Sequence, residues 1–210
     1  MRILPVAKDA YVYVAVLAVL FLLFFFLYKP LSIIILVMVL FVLFFFRDPK
    51  RKVPEESNII VSPADGRVMS VEEIFEDTYI KGKAIKISIF LSVFNVHINR
   101  SPIKGMVKSI VYRPGKYLPA FKSHASDINE KNTIAIEGSN VQILVSQITG
   151  FIARRIVCWS KEGSALEKGE RFGLIKFGSC TEIIVPDHIK IKIKLGDKVR
   201  GAETIIGVII

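Results

Sequence analysis

Two uncharged apolar runs near the N-terminus divide this chain into parts that cannot share one solvent. Tyr11–Tyr28 is 18 residues long, Leu31–Phe46 is 16, and Lys29-Pro30 separates them. As helices rising about 1.5 Å per residue they would be roughly 24–27 Å long, a little short of a ~30 Å hydrocarbon core. Flanking Lys and Arg can make up the difference by snorkelling. The interruption predicts a helical hairpin over residues 1–52, the hydrophobic anchor of the chain.

Charge gives the hairpin an orientation. Residues 1–52 carry seven Lys/Arg against two Asp/Glu, half of the net charge of +10. Arg2 and Lys8 precede the first run, and Arg47, Lys50, Arg51 and Lys52 follow the second, so all six lie on one side of a hairpin. The positive-inside rule puts that side, and everything after residue 47, in the cytoplasm at the cell membrane. A basic excess beside an apolar anchor fits an anionic membrane surface, and the sequence lacks the basic–aromatic stripe of a single-strand nucleic-acid binder. A secretory signal is the weaker reading, because no small-residue cleavage site separates the two runs. A re-entrant hairpin in one leaflet is the alternative to two spans.

From residue 53 to 210 the texture changes to short β-branched runs between turn signals. Asn58–Val61, Ala84–Phe90, Thr133–Ile136, Val141–Val145 and Ile183–Val185 read as strands, and Ile189–Leu195 alternates strictly between apolar residues and Lys. Tyr117–Asp127 is the one candidate helix. The expected class is α+β, mostly β: a compact β-rich catalytic domain preceded by the helical hairpin. Cys158 and Cys180 have neither CxxC spacing nor a His cluster, so core thiols in a reducing compartment are expected, and no metal.

Three clusters can carry chemistry. Ser62-Pro-Ala-Asp-Gly-Arg67 reads as a tight turn, with Asp65 either capping its own backbone or orienting a partner. Phe94-Asn-Val-His-Ile-Asn-Arg-Ser-Pro102 places one of three histidines, His97, beside Asn and Arg at the end of an apolar stretch. Gly173-Leu-Ile-Lys-Phe-Gly-Ser179 ends a β run in a Gly-Ser step, which is either a plain turn or a scissile bond. In the second case the Ser179 hydroxyl attacks the carbonyl of Gly178, whose lack of a Cβ tolerates the required backbone strain. β-Elimination of the resulting ester leaves dehydroalanine, which hydrolyses to a pyruvoyl group and ammonia.

These three clusters, together with Asn129-Glu-Lys-Asn132, Ile152-Ala-Arg-Arg-Ile-Val157, Gly169-Glu-Arg-Phe-Gly-Leu-Ile175 and Phe45-Phe-Arg-Asp-Pro49, resemble the short form of the phosphatidylserine decarboxylase family. The resemblance extends over nearly the whole chain. It implies a zymogen of phospholipid biosynthesis that cleaves itself between Gly178 and Ser179. Chains 1–178 and 179–210 then stay together as a heterodimer, with Ser179 converted to the covalent pyruvoyl cofactor. That group takes the serine amine of an anionic phospholipid as a Schiff base and accepts the electrons left by CO₂. Archaeal relatives act on archaetidylserine. By the same resemblance His97 is the base for self-cleavage and Asp65 its acidic partner. Phe94 stands where longer relatives carry a second histidine, and Cys180 follows the cleavage serine where Arg or Thr is expected.

Elementary chemistry is consistent with these roles. A serine hydroxyl is a poor nucleophile until an imidazole takes its proton, and a carboxylate can steady the imidazolium. A conjugated carbonyl serves a decarboxylase as an electron sink. Arg100, Arg113 and Lys116 are the candidates for the substrate phosphate. Two rival readings are a membrane-associated serine hydrolase and a non-enzymatic biotinyl/lipoyl-like domain. The first needs a G-x-S-x-G elbow that Phe-Gly-Ser-Cys-Thr does not provide. The second needs a modifiable Lys at a hairpin tip, and Asp187–Gly207 offers none.

Overall fold

A computed structural model of the chain describes residues 6–119, 125–151, 155–176 and 179–210. It divides into two compact units, Met1–Lys50 and Arg51–Ile210. Arg51, the first residue of the second unit, is bound within that unit through its side chain.

The first unit is a helical hairpin of α1 (Ala10–Leu27) and α2 (Lys29–Phe45). Tyr28 is extended at the break, and Pro30 sits in the first turn of α2, where its missing N–H is not needed. The hairpin is closed at its open end by an Ala7 N–H donated to the Phe46 carbonyl at 2.8 Å. Ala10, Ser32, Ile35, Val42 and Phe45 face inward, while the remaining apolar side chains are mostly exposed. A helix apolar on every side is unsuited to water, and α1 has the length and composition to cross a membrane; α2 is one residue shorter, at 17.

The second unit is β-rich. In chain order it holds β1 (Ile59–Val61), β2 (Gly66–Glu76), β3 (Gly82–Leu91), β4 (Ile98–Arg100), β5 (Gly105–Arg113), a four-residue helix α3 (Ala125–Ile128), β6 (Lys131–Glu137) and β7 (Gln142–Thr149). These are followed by β8 (Arg155–Cys158), β9 (Ala165–Leu166), β10 (Arg171–Lys176), β11 (Ser179–Pro186), β12 (Lys190–Ile191), β13 (Lys198–Val199) and β14 (Ile205–Val208). An eight-stranded antiparallel sheet runs β13-β2-β3-β11-β7-β6-β5-β9, and two three-stranded sheets, β4-β10-β8 and β1-β14-β12, complete the unit. Ile87, Ile89, Ile183, Val185, Ile143, Val145, Ile134 and Val107 point from the large sheet into one core, which Phe172 of β10 and Ile206 of β14 cover from the small sheets. The α+β, mostly β expectation holds.

Local differences have physical causes. β2 pairs with β3 along nearly its whole length, and within that ladder Glu72 meets Lys86 at 2.9 Å. The alternation of Ile189–Leu195 does bury Ile189 and pack Ile191 and Ile193 against the core. Its regular ladder covers only Lys190–Ile191; the Lys192 N–H still donates to the Ile206 carbonyl at 2.9 Å, and the chain then turns, with the Lys194 N–H donating to Asp197 Oδ2 at 2.9 Å. The helix expected over Tyr117–Asp127 is not formed at Tyr117–Leu118, where the Asn129 side chain binds Leu118 N–H and C=O in its place. Residues 120–124 of that segment lie outside the described residues.

Candidate active site

The register of the large sheet brings distant residues to one end. Arg67 lies opposite Phe90, Phe90 opposite Cys180, Cys180 opposite Ile148, Ile148 opposite Lys131, and Lys131 opposite Arg113. Just beyond this cross-strand row, Asp65 directly precedes β2, Ser179 opens β11 and Lys116 follows β5, while His97 directly precedes β4 of the adjoining sheet. The strands are antiparallel, so residues far apart in sequence come to one edge.

Ser179 pairs with Leu91 on one side and Thr149 on the other and is 0% exposed. Its Oγ has no hydrogen-bond partner among the described residues. A buried hydroxyl without a partner costs about 1–3 kcal/mol. Such an atom is a candidate reactant, and it is the feature of the site that fits a pyruvoyl group arising at this position. Gly178 and Phe177 lie outside the described residues.

His97 is buried, and its Nδ1 lies 3.0 Å from the Asn95 carbonyl. A carbonyl only accepts, so Nδ1 carries the hydrogen in this contact. Asn95 is itself pinned, its Oδ1 accepting from Ser92 N–H at 2.9 Å and Ser92 Oγ at 2.8 Å. The backbone of His97 is tied to β10 by an Ile175 N–H donated to its carbonyl at 3.1 Å.

The Asp65 turn is held against β4 by the Arg100 N–H, which donates to the Pro63 carbonyl at 2.9 Å. The carboxylate expected beside the His97 ring has other partners. Arg51 Nη2 lies 2.8 and 2.9 Å from its two oxygens, and Gly201 N–H donates to Oδ1 at 2.8 Å. Glu203 stands 4.0 Å from Arg51 Nη1 on the other side. Arg51 enters the sequence reading only as part of the basic flank, and nothing local marks it as a carboxylate partner.

A buried chain of amides completes the inner face. Asn132 Nδ2 donates to Gln147 Oε1 at 3.1 Å, Gln147 Nε2 to Asn99 Oδ1 at 3.0 Å, and Asn99 Nδ2 to Thr181 Oγ1 at 2.8 Å. Gly173 leaves room for it: a Cβ there would meet Gln147 Nε2 at 2.8 Å and the Val157 carbonyl at 2.4 Å. The signal in the sequence is faint, a Gln at an inward position of an apolar strand and an Asn two residues after His97.

The three phosphate candidates separate. Arg100 is buried, with Nη1 donating to the Gly169 carbonyl at 3.0 Å, whereas Arg113 and Lys116 are exposed. Cys180 is buried beside Phe90 and Ile148, and burial pushes its thiol pKa far up. Among the described residues no three His, Cys, Asp or Glu gather as metal ligands.

Comparison with known proteins adds an independent finding. The sequence model of the phosphatidylserine decarboxylase family matches residues 38–207. A protein of Carboxydothermus hydrogenoformans is 50% identical over 201 residues, covering 95% of this chain and 94% of its own length. One from Symbiobacterium thermophilum is 43% identical over 204 residues, 96% and 94% of the two chains, and one from Desulfotalea psychrophila is 43% identical over 181, 86% and 85%. All three are named phosphatidylserine decarboxylase proenzyme.

Proposed function

Because the chain belongs to the phosphatidylserine decarboxylase family, we propose that it removes CO₂ from the serine head group of phosphatidylserine, or of the ether lipid archaetidylserine, at a pyruvoyl group made from its own Ser179. It is a carboxy-lyase produced as a proenzyme. The observation that carries the reading is the buried Ser179 Oγ, which has no hydrogen-bond partner among the described residues.

In the self-cleavage step Ser179 Oγ bonds to the Gly178 carbonyl carbon, and the Gly178–Ser179 C–N bond breaks. His97 Nε2 takes the hydroxyl proton and returns it to the departing amine. Loss of the Ser179 α-proton then breaks the Cβ–Oγ bond, leaving Gly178 as a carboxylate and Ser179 as dehydroalanine. Water replaces its nitrogen, which leaves as ammonia. With the Nδ1 hydrogen held by the Asn95 carbonyl, Nε2 is the ring atom to which this reading assigns the first proton. Asp65 serves as the carboxylate that steadies the imidazolium, a role that requires it to exchange Arg51 for the ring.

When formed, the group supplies an electron sink for the pair released as CO₂ departs. Arg100, Arg113 and Lys116 are this reading's contacts to the lipid phosphate. The hairpin of residues 1–52 anchors the domain to the cytoplasmic face of the cell membrane, supported by the apolar α1 and the basic residues that flank the hairpin. Chains 1–178 and 179–210 remain together as a heterodimer, since β11 is paired on both sides within the large sheet.

Intact mass under denaturing conditions tests the reading. The active protein is expected as two chains, with residues 179–210 one ammonia lighter than a serine-started peptide and closed to Edman sequencing. Ser179→Ala is expected as a single inactive chain. An active, unmodified 210-residue chain overturns the proposal.

A further inference from the structure

The rim around Ser179 has a composition that a soluble edge would not need. Phe94 follows β3 by three residues and is 69% exposed; Phe151 follows β7 by two and is 66% exposed. β3 and β7 are the two strands that flank β11, and Leu91, Ser179 and Thr149 lie side by side across them. The strand ends that carry them, Leu91 and Thr149, therefore stand on either side of the start of β11, about 10 Å apart at two strand spacings. Tyr117 after β5 and Ile128 before β6 are exposed at the same end of the sheet. Arg113 ends β5 and Lys116 follows it by three residues, both exposed, as is Asp127 before β6.

An exposed phenylalanine alone would carry little weight, since Phe75 is 71% exposed at the far end of β2. The Ser179 end differs by gathering aromatic and apolar side chains with cations around one buried reactive centre. Aromatic rings settle at a membrane–water interface, and Lys and Arg beside them are drawn to anionic head groups. The same chain carries α1, a helix long and apolar enough to cross a bilayer.

The geometry points to a membrane-docking rim: Phe94 and Phe151, flanked by Tyr117 and Ile128, enter the interface of an anionic bilayer, with Arg113 and Lys116 on its head groups. The mouth of the site then opens on the lipid surface, and a serine head group reaches Ser179 without its acyl chains leaving the bilayer. This inference rests on the lipid substrate proposed above and deepens it, but its physical content is independent of catalysis.

Depth-dependent fluorescence quenching tests it on the full chain. In a Trp159→Phe background, which removes the sole native tryptophan, single tryptophans replace Phe94, Phe151 or Phe75. Each protein, also carrying Ser179→Ala so that cleavage plays no part, is reconstituted into phosphatidylglycerol/phosphatidylcholine vesicles with acyl-brominated lipid. Phe75 is the matched control, roughly 25 Å further along β2 at ~3.3 Å per residue. Tryptophan at 94 and at 151 is expected to be quenched severalfold more than at 75, with blue-shifted emission. Adding Arg113→Gln and Lys116→Gln is expected to reduce that quenching in anionic vesicles. Equal quenching at all three positions, or none at 94 and 151, overturns the rim. Absence of decarboxylation by the wild-type chain would instead count against the proposed activity and leave the quenching result standing.

Discussion

Asn99 Nδ2 donates a hydrogen bond to Thr181 Oγ1 at 2.8 Å, joining a residue two places after His97 to a residue two places after Ser179. This is a side-chain bond between the β4-β10-β8 sheet and the large sheet. Both residues are fully buried, and Asn99 is held in turn by Gln147. A buried amide chain of this kind is costly unless every member is satisfied.

Removing the acceptor should therefore be felt in both stability and processing. Thr181→Val keeps the shape but strands the Asn99 amide, at a cost of about 1–3 kcal/mol. Self-cleavage is expected to slow, because β4 and β11 lose their tie beside the reacting groups. Thr181→Ser, which keeps the hydroxyl, should recover the rate. Denaturant unfolding and a mass-spectrometric time course measure the two effects; a Val variant that cleaves like wild type would make the bond purely structural.

The Asp65 assignment separates from its contact with Arg51 by a pair of variants. Arg51→Ala removes a largely buried cation and is expected to cost roughly 1–3 kcal/mol, while cleavage persists. Asp65→Ala is expected to block cleavage, and His97→Ala to block it more completely. Wild-type processing in Asp65→Ala would reduce Asp65 to the structural partner of Arg51 and Gly201.

A pH effect on stability is expected at the opposite end of the sheet. Burial raises the Glu76 pKa, but hydrogen bonds from the Thr78 hydroxyl and from the backbone N–H groups of Ile80, Tyr79 and Thr78 together outweigh it and leave the pKa lowered. A carboxylate whose folded pKa is depressed contributes stability above its unfolded pKa of about 4.3 and loses it as pH falls through the folded value. Glu76→Gln should thus be less stable than wild type near neutrality, by about 1–2 kcal/mol. The gap should close as pH falls through the lowered pKa of the folded Glu76. A gap that stays constant from pH 7 to pH 3 would assign the loss to shape and not to charge.

Much of this protein is legible along the chain. The uncharged runs and the Lys29-Pro30 break specify a helical hairpin, because apolarity, helix length and proline chemistry are local properties. The Ile/Val runs specify strands for the same reason, and the ordered motifs around Asp65, His97 and Ser179 identify the family, since a motif is a property of sequence. Partnership is different. Asp65 finds Arg51, 14 residues earlier, and Gly201, 136 residues later. The Asn132–Gln147–Asn99–Thr181 chain needs β6, β7, β4 and β11 already in register. Phe94 and Phe151 come to one end of the large sheet only because β3 and β7 end beside the same strand. Strand order and register bring such residues together, and they depend on which faces pack into a common core, a free energy that no short stretch of sequence carries alone.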